Sequence, residues 1–251
     1  MSISILLFPV LGAIAGVLAG LLGIGGGMVL VTALVFLLPL YGVPADAAMH
    51  AALATSLASI VLTSAASTRA HHVRGGVLWP TVAWLVPGAL LGGWLGSRVA
   101  IRIDGDVLKF GVIAYCGIAG LQLLLSRTPS DRGVDVVPTG AGLSVAGVGI
   151  GAVGSVGWRG VRPVRAVGTS SACGIFVALA SAAGYAMQAP AAALPSDGIG
   201  YVYVPAAIGI AITSVLCAPL GTRLAHAISG PALKRVFAGF LFVMGACLTL
   251  L

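Results

Sequence analysis

The chain has 251 residues, 59% of them hydrophobic and 8% charged, with 13 basic side chains against 6 acidic ones. An ordinary soluble domain is about a quarter charged, so this composition excludes a water-soluble globule and points to several membrane spans. The net charge of +7 would suit a nucleic-acid partner in a soluble protein, but the bases here sit in short gaps between apolar runs. That is the pattern of topology-setting residues, which excludes nucleic acid and leaves membrane lipid as the surrounding partner.

The first apolar run, residues 4–40, is too long for one straight span. It lacks a positive leading region and is read as a retained first segment. Its centre is "GLLGIGGGMVL", residues 20–30. A phosphate loop would need Gly-Lys-Ser/Thr after the glycines, and a dinucleotide site an acid about 20 residues on; Met28 and Val29 follow instead, and the apolar run continues to Leu40. Gly25, Gly26 and Gly27 can interrupt a helix and present backbone N–H groups and a positive dipole end to an anion. Glycines of this kind also allow close helix packing, the plainer reading.

The second run, 45–67, opens with Asp46 and His50 and carries "ATS" at 54–56. Asp46 and His50 are the titratable groups nearest the glycines and are candidates for ion coupling; Asp at a helix start also needs no transport role. Thr55 and Ser56 can donate to an oxyanion, or bond a carbonyl of their own helix. The loop "TRAHHVR" follows, in which His71 and His72 read as solvated residues, not metal ligands. Runs at 77–99 and 107–126 complete the first half, and a polar linker spans 127–137.

The second half repeats the first. At a constant offset of 125, Pro80 meets Pro205, Gly96 meets Gly221, Arg98 meets Arg223 and Lys109 meets Lys234. Upstream, "ALATSL" pairs with "AVGTSS", setting Thr169 and Ser170 on Thr55 and Ser56, and "GIGAV", with Gly149 and Gly151, pairs with "GIGGG". The interval after the glycines shortens from residues 28–54 to residues 154–168, where the basic "GSVGWRGVRPVR" stands. Arg159, Arg162 and Arg165 there can steer anions to a cavity mouth, or simply set topology. Two repeats result, 1–126 and 138–251. Duplication with interrupted segments in matching places is the mark of a secondary transporter. If each glycine segment crosses once the repeats are parallel; if each dips and returns they are inverted. Counting basic residues fits both.

The stretch "GVLAGLLGIGGGMVLV", with "AALATSLASI" and the later "AVGTSSA", resembles the sulfite exporter TauE/SafE family of membrane permeases. The resemblance extends over almost the whole chain and departs from the family at "GIGAV" and at the shortened segment after it. It implies a polytopic carrier for sulfur-containing anions.

These readings give an all-α transmembrane bundle of two repeated halves, each with a broken or re-entrant first segment, in a bacterial cytoplasmic membrane. The expected activity is export of a small anion (sulfite, sulfoacetate or another organosulfonate) by alternating access. Its site would combine Gly25–Gly27, Thr55 and Ser56 with Gly149, Gly151, Thr169 and Ser170. No enzyme constellation, metal site or cofactor motif is present in the sequence. The alternatives are a non-transporting membrane assembly protein that keeps the fold, or an anion channel. The four cysteines, without CxxC spacing, are read as buried free thiols.

Overall fold

A computed structural model of the chain describes residues 2–22, 26–125, 163–188 and 198–250. Among these, eight α-helices are present: α1 (Ser2–Leu22), α2 (Gly27–Leu37), α3 (Ala45–His72), α4 (Trp79–Ala100), α5 (Gly105–Leu125), α6 (Pro163–Ala186), α7 (Val204–Ala227) and α8 (Gly230–Thr249). Two strands, β1 (Gly198–Ile199) and β2 (Val202–Tyr203), form a small antiparallel hairpin before α7. Its turn is made by Gly200 at φ 56°.

Prolines and charges mark the helix starts. Pro80, Pro205 and Pro231 stand in the first turns of α4, α7 and α8, where their missing N–H groups are not needed. Asp46 in the first turn of α3, and Arg69, His71 and His72 in its last, complement the helix dipole at both ends. A 3-10 turn, Leu38–Tyr41, closes α2 and is stopped by Gly42 at φ 87°.

The helices share two ends. At one, the Phe8 ring lies 5.1 Å from that of Tyr41, and Tyr41 lies 6.2 Å from Tyr203. His50 Nε2 donates to the carbonyls of Ala100 and Ile103, each at 3.1 Å, which brings the start of α3 to the end of α4. At the other end, His71 Nε2 donates to Gly20 O at 3.0 Å, and its ring lies 5.5 Å from that of His226. Gly168 of α6 packs on His71 there. These contacts fix the helix directions. The chain enters by α1 at the Tyr41 end, returns to that end through α2, and then crosses by α3, α4 and α5. In the second half, α6 runs opposite to α3, α7 opposite to α4, and α8 opposite to α5.

Helix α3 is the hub. It packs on α1, α2, α5, α6 and α7, and is the most buried of the apolar spans. The main pairings cross between halves: α1 on α7, α4 on α6, α3 on α6 and α7, and α5 on α8. Lipid gives helices little hydrophobic reason to associate, so close contact matters. Gly12, Gly16 and Gly20, four residues apart on α1, provide it: a Cβ at these positions would run into Thr213 Oγ1, Ser214 O and Ala218 O of α7. The outward faces are apolar. Ile118 and Leu125 of α5 and Leu216 of α7 are among the exposed side chains, as a surface facing hydrocarbon requires.

Candidate functional site

Gly26 makes the interruption. It sits at φ 67°, in the left-handed region, as the residue before α2, and no side chain caps that helix. Its neighbour is backbone, the carbonyl of Ala15 in α1. The first backbone bond of α2 is Leu30 N to Gly26 O at 3.4 Å, so the N–H groups of Gly27, Met28 and Val29 precede it and belong to the orphan donors of a helix start. Gly27 is buried against the middle of α3, where a Cβ would lie 2.6 Å from Ile60 Cδ1. The start of α2 is thus inside the bundle. Because α2 runs back to the Tyr41 end, its positive end faces the half of α3 that leads to His71. Gly20, by contrast, packs against the backbone of α7 at Ala218.

The two Thr-Ser pairs meet different partners. Thr55 Oγ1 accepts the backbone N–H of Tyr203 at 2.9 Å, and Thr169 Oγ1 accepts that of Leu78 at 3.1 Å; both threonines are fully buried. Tyr203 is the cap residue of α7 and Leu78 that of α4. Each threonine therefore holds the start of a helix from the other half of the chain. Ser56 donates to Leu53 O at 2.9 Å, within its own helix. Ser170 is buried beside Thr169. Ser56 lies one turn from Ile60, the residue against which Gly27 packs.

Asp46 is exposed, with Oδ1 accepting the N–H of Ala47 at 3.0 Å. His50 is buried, and its Nε2 is committed to the end of α4. Arg165 is half-buried in the first turn of α6. Gly25, Gly149, Gly151, Arg159 and Arg162 lie outside the described residues. Arg98 stacks over Trp94, its Cζ 4.9 Å from the ring centre. All four cysteines are free; Cys116 and Cys173 are buried, while Cys217 and Cys247 are half-buried.

Reading "TRAHHVR" as a solvated loop is corrected by the fold. Both histidines lie on α3, and His71 is fully buried while His72 is exposed and accepts the Trp79 indole N–H at 3.1 Å. Helix α3 simply continues a turn past the apolar run. What sequence reasoning missed is a polar stripe. Thr55, Ser59, Thr63, Ser67 and His71 recur every four residues and are all buried. Thr63 pairs with Ser214 of α7, and Ser67 Oγ lies 3.1 Å from Ser171 Oγ of α6. The spacing is visible in "TSLASIVLTSAASTRAH"; the partners are not.

Comparison with known proteins fits this architecture. The sequence profile described as Sulfite exporter TauE/SafE matches residues 8–248. The chain belongs to the sulfite exporter TauE/SafE family. A Haemophilus influenzae relative named "Probable membrane transporter protein" is 33% identical over 253 residues, 96% of this chain and 96% of its own. The Bacillus subtilis "Probable membrane transporter protein YunE" is 40% identical over 113 residues, 44% of this chain and 38% of its own. No solved structure matches the chain. Among the described residues, five helices, α3, α5, α6, α7 and α8, are long and apolar enough to cross a bilayer. This TauE/SafE member is an integral membrane protein.

Proposed function

We propose that this protein is a secondary carrier of the bacterial cytoplasmic membrane that exports small sulfur-containing anions such as sulfite, sulfoacetate or other organosulfonates by alternating access. The observation that carries the reading is the uncapped start of α2 at Gly26–Gly27, inside the bundle against Ile60. A helix start exposes several N–H donors and a positive dipole end, and in a low-dielectric interior these attract an anion without a buried lysine or arginine. Half-helices that begin near mid-membrane are how many carriers hold an anionic group.

Around that start, Ser56, one turn along α3 from Ile60, supplies a hydroxyl. Thr55 and Thr169 act first as fixed points that hold α7 and α4. The two stretches 1–126 and 138–251 are inverted repeats on this reading, supported by the opposed directions of α3 and α6, α4 and α7, and α5 and α8. Rocking of one repeat against the other would expose the start of α2 to each face in turn.

The test is reconstitution. Purified protein in proteoliposomes should carry sulfite or sulfoacetate with a saturable rate, and the same anions should raise its melting temperature in detergent through linkage. Flux that rises linearly without saturation would indicate a channel. Absence of both flux and stabilisation would leave a membrane assembly protein and overturn the carrier.

A further inference from the structure

Among the described residues, four buried side-chain polar atoms have no hydrogen-bond partner, and three of them are Ser64 Oγ, Thr68 Oγ1 and His71 Nδ1. Spaced four and three residues apart, they share one face of α3. Their exposures are 1%, 4% and 0%. Ser64 and Thr68 continue the row of Ser56 and Ile60, and His71 lies one turn beyond Thr68, on the half of α3 toward which the start of α2 points; Ser64 Oγ faces Gly174 of α6 and His71 Nδ1 faces Gly76. A backbone–side-chain match explains the other hydroxyls of α3, which bond carbonyls one turn back or pair with α6 and α7; it does not explain these. Polar atoms buried in a bundle without partners mark a place where something else supplies the partner.

We propose that Ser64, Thr68 and His71 form a subsite that takes up the oxyanion and a proton together. This deepens the carrier reading and rests on it. His71 Nε2 is fixed as a donor by Gly20 O at 3.0 Å, so the neutral ring presents a bare lone pair at Nδ1. In that form the face offers two hydroxyl donors and one acceptor, which repels an anion. A proton from solvent added to Nδ1 converts the acceptor into a third donor and gives the ring a positive charge. Three donors and one cation then match a sulfonate or sulfite head. Among the described residues, the titratable groups facing His71 are His226 of α7, its ring 5.5 Å away, and Arg74 from the turn after α3. Helices α1 and α6 meet His71 through glycine backbone, at Gly20 and Gly168. Proton and anion then bring opposite charges to one buried place, so each draws in the other. His226 is exposed and lies between solvent and His71, which gives the proton its way in. The anion leaves with the proton that arrived with it.

The experiment measures protons taken up per anion bound, from binding heats in buffers of different ionisation enthalpy. Sulfoacetate is the main probe because it does not titrate near neutrality; sulfite is the second, with its own ionisation subtracted. The expected result is uptake of about one proton per anion, with affinity falling about tenfold per pH unit on the alkaline side. His71→Gln, which keeps a donor for Gly20 O, should abolish the uptake and the pH dependence. Ser64→Ala with Thr68→Val should weaken binding and leave the proton count unchanged. Should His71→Gln not fold, Arg74→Gln serves: removing the permanently charged neighbour should move the midpoint to higher pH, and an unmoved midpoint overturns the proposal. Binding without proton uptake, or uptake that survives His71→Gln, overturns it while leaving the carrier intact. No binding of either anion at any pH overturns both.

Discussion

Thr55 on α3 accepts the backbone N–H of Tyr203, and the residue matched to it by the sequence repeat, Thr169 on α6, accepts that of Leu78. Tyr203 and Leu78 are themselves 125 positions apart, the offset that aligns Pro205 with Pro80. The two hydrogen bonds are therefore reciprocal. Each half of the chain supplies the hydroxyl that starts a helix of the other.

Removing either hydroxyl leaves a buried amide without its acceptor, which costs about 1–3 kcal/mol. Thr55→Val and Thr169→Val should each lower the melting temperature in detergent. Their effects should add, because the two bonds lie far apart and share no partner. Thr→Ser at either position should recover most of the loss, since the acceptor oxygen is kept.

The glycine row on α1 makes a second prediction. A Cβ on Gly16 would meet the backbone of Ser214, which cannot move aside without shifting α7. Gly16→Val should abolish recovery of monodisperse protein. Gly96, Gly111 and Gly117 have no atom within 4 Å of such a Cβ, so alanine there should leave yield and melting temperature unchanged or slightly raised. Equal behaviour of the two sets would show that α1 and α7 do not pack through these glycines.

Gly26 tests the interrupted segment. An L-residue forced to φ 67° pays about 1–2 kcal/mol, and Cβ would also crowd Ala15 O. Gly26→Ala should lower the melting temperature and, by displacing the start of α2, weaken stabilisation by sulfite or sulfoacetate at least tenfold. Unchanged stabilisation would separate the anion site from α2.

Helix direction predicts sidedness. Leu40 and Val73, each 78% exposed, lie at opposite ends of the bundle. Among the described residues, the Val73 end carries Arg69, Arg74, Arg165, Arg223, Lys234 and Arg235, against Arg98, Arg102 and Lys109 at the other, so the positive-inside rule predicts that it faces the cytoplasm. A membrane-impermeant thiol reagent added to intact spheroplasts should label Leu40→Cys and spare Val73→Cys. Labelling of both, or the reverse, would contradict this orientation.

Much of the architecture was legible in the sequence because hydropathy and repeated motifs act locally. The apolar spans and the matching of Thr55 with Thr169 follow from residues read along the chain. What was not legible depends on contacts between distant segments. The motif at 20–30 does not announce that Gly20 packs on α7 while Gly26 turns the chain. Counting arginines could not decide the helix directions, since that depends on α2 returning to the Tyr41 end. His71 was misread for a similar reason: the basic residues around it suggested water, whereas α1, α6 and α7 close over its ring.

The reciprocal threonine bonds also bear on how the protein is made. When α4 enters the membrane, the hydroxyl that completes its first turn has not yet been synthesised, and α1 likewise waits for α7. The nascent first half must persist with open donors and an uncovered glycine face until the ribosome has delivered most of the chain. That interval is when quality-control proteases would find it, so production should be limited by the pace of late insertion. Two co-expressed fragments, divided between α5 and α6, should each survive only in the company of the other.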